Sequence, residues 1–335
     1  MLKNKKILII GGAGFIGHNL AIKLKSLKAN VMIVDGLTVN NLESLKKNTN
    51  KLPHPKLSMQ IIKERIRLLK KNKIPLKKLD ARNYIKLSKV FNKFKPSVVV
   101  HLAAVSHANR SNKDPHSTFD HSLRTLENAL DNSKNRVDHF IFLSSSMVYG
   151  NFKKKTVNEN DICNPLGIYA ALKFSAEKII KAYNQVFNLP YTIIRPSALY
   201  GERCISRRVG QIFIENCLNG KEIIIEGDGN EKLDFTYIQD LLQGIVKIIK
   251  NKKSLNETFN ITFGQAQPIK KLIEILKIDF PDLKVKYSLR DKLMPKRGTL
   301  STSKAKNKIS YNSQWPLDQG YKEYIKWYKS LFNKS

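Results

Sequence analysis

The chain has 335 residues, enough to bury a full core as one large or two modest domains, and 41% hydrophobic and 26% charged content is that of an ordinary globular protein. Its net charge of +33 is unusual, but the lysines run through almost every segment, whereas a nucleic-acid footprint clusters its charge, so nucleic acid is not the expected partner. No apolar stretch reaches the ~18 residues of a membrane span. The three cysteines, Cys163, Cys204 and Cys217, are odd in number and far apart, which fits reduced thiols in a cytoplasmic protein and neither a disulfide frame nor a metal site.

Lys3, Lys5 and Lys6 before an apolar run have the form of a signal peptide, but Ile7-Leu8-Ile9-Ile10 is needed as a first strand. Gly11-Gly12-Ala13-Gly14-Phe15-Ile16-Gly17 follows it at once and opens a helix predicted over residues 15–27. A buried strand, a glycine turn and a helix N-terminus make a pyrophosphate cradle, because the free N–H groups at Phe15, Ile16 and Gly17 point at the ligand. Gly11 permits the sharp turn, Gly14 the approach of the phosphates, and Gly17 the packing of helix on strand. Glycine-rich turns also serve packing alone. The next strand, Val31-Met32-Ile33-Val34, ends at Asp35, about 20 residues on, where a carboxylate accepts both ribose hydroxyls of an adenosine and repels a 2′-phosphate. The expected cofactor is NAD rather than NADP.

Residues 38–73 are polar and lysine-rich and hold a helix predicted near 59–69, with Ile61, Ile62, Ile66 and Leu69 at helical spacing; its role is not readable. A third strand over 74–79 ends in Asp80-Ala81-Arg82, where Asp80 is either an acceptor for an adenine amino group or a loop aspartate. A helix over 86–94 stops at Pro96, and a buried strand over 97–104 ends in His101-Leu102-Ala103-Ala104, whose small residues let a cofactor lie against the backbone. His101 is a ligand, a base or a hydrogen-bonded structural residue. A helix over 117–132 leads to a fifth strand over 139–143 and then Ser144-Ser145-Ser146. Strands alternating with helices predict an α/β, doubly wound parallel sheet with its ligand at the carboxyl ends of the strands.

Tyr169 and Lys173 are four apart in a helix-forming stretch and so share one face. A tyrosine at its free pKa of about 10 needs roughly three units of depression, or ~4 kcal/mol, to act as a base at neutral pH. An ammonium some 5 Å away supplies on the order of 3 kcal/mol at an effective dielectric near 20, and a cationic nicotinamide can add the rest. The same pair also fits an ordinary surface helix. Ser145, 24 residues earlier at a strand end, adds a hydroxyl that can hold a substrate oxygen, or else caps the strand.

Together these motifs, with Ser145-Ser146-Met147-Val148-Tyr149-Gly150, Arg195-Pro196-Ser197-Ala198-Leu199-Tyr200-Gly201, Gly227-Asp228-Gly229 and Asp234-Phe235-Thr236-Tyr237-Ile238-Gln239-Asp240, resemble the extended short-chain dehydrogenase/reductase family, in its NAD-dependent nucleotide-sugar epimerase and dehydratase branch. The resemblance runs from Ile7 to about Tyr328 and is closest in kind to UDP-glucose 4-epimerases. It implies a Ser145-Tyr169-Lys173 catalytic set and NAD retained through turnover, with Gly11, Gly14, Phe15, Ile16, Gly17, Asp35, Asp80, Ala81, Leu102, Ala103, Ala104, Tyr169, Lys173 and Pro196 at the cofactor. It further implies a Rossmann domain over 1–201 and a smaller α/β lobe over 202–335 holding a nucleoside-diphosphate sugar, with some chain crossing back, and a homodimer built on two helices per subunit. Ser145, Ser146, Ala198 and Arg297 would meet the substrate. The chain departs from the family at Ala198, where asparagine is common, at Leu233, where arginine is common, and at Lys296-Arg297-Gly298, which lacks a proline and a following aspartate. Arg297 either holds the diphosphate or sits in an exposed basic loop. In the lobe, helices are expected over 209–218, 241–249, 305–309 and 321–331, with a strand over 222–225. The family's dehydratases carry acids at the two positions after the catalytic serine, and its decarboxylases a glutamate at the second. Here Ser146 and Met147 stand there, so C4 epimerisation of a UDP-hexose is the expected reaction. A dehydratase, decarboxylase or reductase of the same branch, or an NAD-binding regulator, is the alternative.

Overall fold

The computed structural model describes residues 2–39, 41–47, 54–105, 108–290 and 294–332. Its main sheet has seven strands: β1 (Lys6–Ile10), β2 (Asn30–Asp35), β3 (Leu76–Lys78), β4 (Val98–His101), β5 (His139–Leu143), β7 (Tyr191–Arg195) and β12 (Glu257–Asn260). Their order is β12-β7-β5-β4-β1-β2-β3. Ile7 to Ile10 are fully buried because β1 lies mid-sheet, pairing in parallel with β2 (Ile7↔Val31) on one side and β4 (Ile7↔Val98) on the other. The chain reverses its direction of spread at β1, and a doubly wound sheet opens its crevice at such a point, beyond the strands' carboxyl ends. The expected Rossmann-type fold is the observed one.

Helices connect the strands: α1 (Phe15–Ser26), α2 (Leu42–Lys47), α3 (Pro55–Lys71), α4 (Tyr84–Phe94), α5 (Ala108–Lys113), α6 (Pro115–Phe119), α7 (Thr125–Ser133) and α8 (Gly167–Phe187). The inserted helix α3 is longer than predicted, since Pro55 at its first turn sets the backbone for a helix start. The single helix expected over 117–132 is instead broken by a π-helical turn at Asp120–Arg124. Thr125 Oγ1 bonds back to the carbonyls of His121 and Ser122, drawing the local ladder off its regular spacing.

The chain divides into two compact units. The first comprises Met1–Ser144, Gly167–Ile194 and Ile245–Thr258; the second comprises Ser145–Leu166, Arg195–Gly244 and Phe259–Ser335. The second unit holds four short strand pairs: β6 (Thr156–Val157) with β15 (Thr299–Leu300), β8 (Leu199–Tyr200) with β11 (Thr236–Tyr237), β9 (Ile223–Glu226) with β14 (Val285–Ser288), and β10 (Lys232–Leu233) with β13 (Gln267–Pro268). Helices α9 (Val209–Leu218), α11 (Lys270–Asp279), α12 (Ser303–Ile309) and α13 (Leu317–Phe332) complete it, and α10 (Ile238–Lys250) runs out of it into the first. Both acids of the Asp234–Asp240 motif are ties within this unit. Asp234 accepts from Thr262 Oγ1 and from the N–H groups of Gly264 and Leu300, while Asp240 accepts from those of Gln314 and Trp315. Complete burial pushes Asp234 up to about 6 against those donors.

Candidate active site

The glycine turn is held from three sides. Gly11 has φ +79°, and a Cβ there would lie 2.6 Å from the backbone N of Ala103, so the turn rides directly on the chain leaving β4. A Cβ on Gly17 would lie 2.4 Å from Gly12 Cα. Ala13 N–H donates to Asp35 Oδ2 at 2.9 Å, and the Ala13 carbonyl accepts from Asn41 Nδ2 at 3.1 Å. Helix α1 starts at Gly14 with no side-chain cap and no acidic residue in its first turn, leaving its dipole and first N–H groups directed at an anion. A turn whose first and last glycines leave no room for a Cβ, ending in uncapped donors, fits the pyrophosphate of a dinucleotide.

Asp35 Oδ1 also accepts from Leu37 N–H at 2.7 Å. Desolvation raises its pKa, opposed by these two backbone donors and by the charge of Arg65. Arg65 is 1% exposed on α3. The inserted segment therefore reaches the cofactor cradle, through Asn41 and Arg65, which apolar spacing alone did not reveal. Asp80 has both oxygens engaged by Arg82 (Nε at 3.1 Å to each, Nη2 at 2.6 Å to Oδ2), and Arg82 reaches on to Asp120. Desolvation works to raise the Asp80 pKa, but Arg82 outweighs it and the net shift is downward. The next carbonyl, of Ala81, accepts from Asn128 Nδ2 at 2.9 Å.

His101 is buried, stacks on Phe140 and Phe142 at 6.1 Å and has the Ala103 backbone close by, with neither ring nitrogen in ideal hydrogen-bond geometry among the described residues. Burial, with the Lys173 charge beside it, pulls its pKa down to about 3. A neutral ring is thereby kept under the site.

The three serines after β5 separate. Ser144 Oγ donates to Glu177 Oε1 at 2.5 Å; Ser145 Oγ accepts from Met147 N–H at 3.2 Å, capping a 3-10 turn at Ser146–Tyr149; and Ser146, 1% exposed, donates its N–H to the carbonyl of Pro196 at 2.9 Å. Gly150 closes that turn at φ +68°, where a Cβ would lie 1.9 Å from the carbonyl oxygen of Asn164. On α8, Tyr169 is half-buried and Lys173 is 8% exposed, one turn away on the same face. Lys173 Nζ donates to the carbonyl of Leu143 at 2.6 Å and lies 4.7 Å from the centre of the Phe142 ring. Burial pulls its pKa down to about 8, opposed by Glu177.

In the second unit, Ala198 takes φ +37°, a left-handed backbone. Arg297 is no exposed loop arginine. Its Nε is buried without a partner among the described residues, and burial with the repulsion of Arg208 and Arg290 pulls its pKa down to about 10. Its loop is fastened by Phe152 N–H on the Lys296 carbonyl and by Lys296 N–H on Asn151 Oδ1, both at 2.8 Å. The charges of Arg208 and Arg290 thus bear on Arg297, while Arg290 itself lies 3.6 Å from Glu231 Oε1 and donates to the carbonyls of Met294 and Pro295. Sequence spacing pointed to one of these three arginines only.

The model of the NAD dependent epimerase/dehydratase family matches residues 7–262. The chain belongs to this family. An uncharacterized UDP-glucose epimerase of Bacillus subtilis is 30% identical over 98% of this chain and 99% of its own. A putative UDP-glucose 4-epimerase of Methanocaldococcus jannaschii is 31% identical over 97% of this chain and 98% of its own. Among solved structures, the UDP-glucuronic acid 4-epimerase of Bacillus cereus, in complex with UDP-glucuronic acid and NAD, superposes with a TM-score of 0.84 at 28% identity, covering 97% of this chain and 99% of that one. As an epimerase/dehydratase, the protein is an enzyme and its cofactor is NAD. The uncapped α1 terminus, the close-packed glycines and the Asp35 carboxylate fit that cofactor.

Proposed function

We propose that the protein is a UDP-hexose 4-epimerase. Residues 1–201 carry the NAD site and the catalytic residues, and 202–335 form the smaller nucleotide-sugar lobe, with some chain crossing back. Gly11, Gly14, Phe15, Ile16 and Gly17 hold the pyrophosphate, Asp35 the adenosine ribose, Asp80 and Ala81 the adenine edge, and Leu102, Ala103, Ala104 and Pro196 line the remaining length. NAD, held by these residues, would supply the hydride acceptor and donor for the sugar ring. Tyr169 removes the proton from the 4-hydroxyl and later returns it; Lys173 favours the phenolate and holds the nicotinamide ribose; Ser145 holds the reacting oxygen. Ser146 and Ala198 flank the sugar, and Arg297, supported by Arg208 and Arg290, takes the diphosphate. The enzyme works in the cytoplasm as a homodimer built on two helices of each subunit, including α8.

The observation that carries the reaction type is the pair after Ser145. Ser146 is buried with its N–H on Pro196, and Met147 closes the turn onto Ser145 Oγ, so neither can exchange a proton with a keto sugar. Return of the hydride is then the easy fate of the keto intermediate. Incubation with UDP-, GDP-, CDP- and dTDP-sugars deuterated at C4, followed by NMR and mass spectrometry, should give a C4 epimer of a UDP-hexose with the deuterium retained and no net NADH. A 4-keto-6-deoxy product, or a pentose with carbon dioxide, would overturn the assignment.

A further inference from the structure

Glu177 has no part in the chemistry above, yet it is a carboxylate of 1% exposure in the middle of the first unit. Buried carboxylates are held by partners, and those of Glu177 are telling. It lies one turn after Lys173 on the same face of α8. Its Oε1 accepts from Ser144, while Lys173 Nζ donates to the carbonyl of Leu143, so two consecutive residues at the end of β5 are tied to two residues one turn apart on the helix.

We propose that Glu177, oriented by Ser144, is a positioning residue that supplies the buried negative charge keeping Lys173 an ammonium beside Tyr169. The proposal rests on the epimerase reading only for the roles of Lys173 and Tyr169. Lys113 on α5 adds a positive charge near α8, and further ionisable groups packed there have the following surroundings. His101 on β4 is neutral; Tyr191 on β7 feels Glu177; Glu127 and Asp131 on α7 act on Tyr183; Asp120 of the π-helical turn is bound by Arg82; and Asp114 caps α6. Glu177 is the charge that raises the Lys173 pKa against burial.

The sign of the effect follows. Without the carboxylate, Lys173 loses its proton at a lower pH, and the phenol of Tyr169 loses the cation that favours its ionisation. Glu177→Gln can still accept from Ser144, so packing is retained. Its kcat should fall away at a pH on the order of one unit lower on the alkaline side than the parent's, with KM for the UDP-sugar little changed. Glu177→Asp should restore the alkaline limb. Ser144→Ala/Glu177→Leu, apolar on both sides, should reproduce the displacement if the glutamine variant is too unstable to assay. An independent readout needs no turnover: absorbance titration near 295 nm, taken as the difference from a Tyr169→Phe background, should show the phenolate of Tyr169 forming at higher pH in Glu177→Gln. A loss of kcat equal at every pH, with the phenolate midpoint unmoved, would leave Glu177 a packing residue and overturn the proposal. Absence of turnover by the parent on every sugar would overturn the epimerase reading instead, with the titration still deciding Glu177.

Discussion

Asp35 does two things at once: its oxygens fix the glycine turn through Ala13 and the following loop through Leu37, and its burial raises the cost of its charge. Asp35→Ala should therefore weaken NAD by about 10- to 100-fold, the loss of a charge-assisted hydrogen bond or two, and should relax discrimination against NADP; calorimetry with both cofactors checks it. Tyr169→Phe should lower kcat by ~100-fold or more while leaving the NAD affinity and the thermal midpoint near the parent's, as measured by steady-state assay and calorimetry. Residues of this kind were legible in the sequence because their position is set by strand ends and helical spacing. Arg65 and Arg208 were not, because each acts through a side chain brought close only by packing of separate elements, and a lone charge in a lysine-rich chain carries no signal.

At the scale of elements, the predicted strands and helices were found wherever apolar periodicity was strong, as in β1, β2, β5 and α9. Periodicity failed at residues 117–132, where hydroxyls bonding back to the backbone replaced part of a regular helix with a π turn, and no apolar spacing records such a contact. In the turn after β7, Ala198 sits at φ +37°, where asparagine is tolerated better than alanine, so the backbone there favours the residue the family resemblance leads one to expect. Ala198→Asn should raise the stability of the fold by about 0.5–1 kcal/mol, read as a higher urea midpoint by circular dichroism.

For the whole molecule, acid lability follows from buried neutral imidazoles. Thr192 Oγ1 donates to the Ser254 carbonyl, so its contact with His139 Nε2 at 2.7 Å makes that nitrogen the donor and fixes the neutral tautomer. Burial, then the charge of Lys5, pulls His139 down to about 3, against ~6.5 in the unfolded chain. Between these values only the unfolded chain binds the proton, so stability present above pH ~6.5 is lost as the pH falls. Asp234, raised to about 6, acts in the opposite sense between pH ~6 and ~4, so the informative quantity is a difference. His139→Gln, which keeps a donor for Thr192, should gain on the parent by ~1.4 kcal/mol per pH unit between pH 6 and 4.5 in urea unfolding.

The order of strands across the sheet also has a consequence for synthesis. Starting from β1, β2 and β3 add outward on one edge, and β4, β5, β7 and β12 add outward on the other. Two strands are laid down long after the neighbour they pair with: β4 begins at Val98 although β1 ends at Ile10, and β12 begins at Glu257 although β7 ends at Arg195. At roughly 5–20 residues per second, a translating ribosome leaves the edge of β7 bare for several seconds. Unpaired edges of this kind recruit other strands. The nascent chain thus passes through an interval in which its sheet is one strand short and most in need of a chaperone.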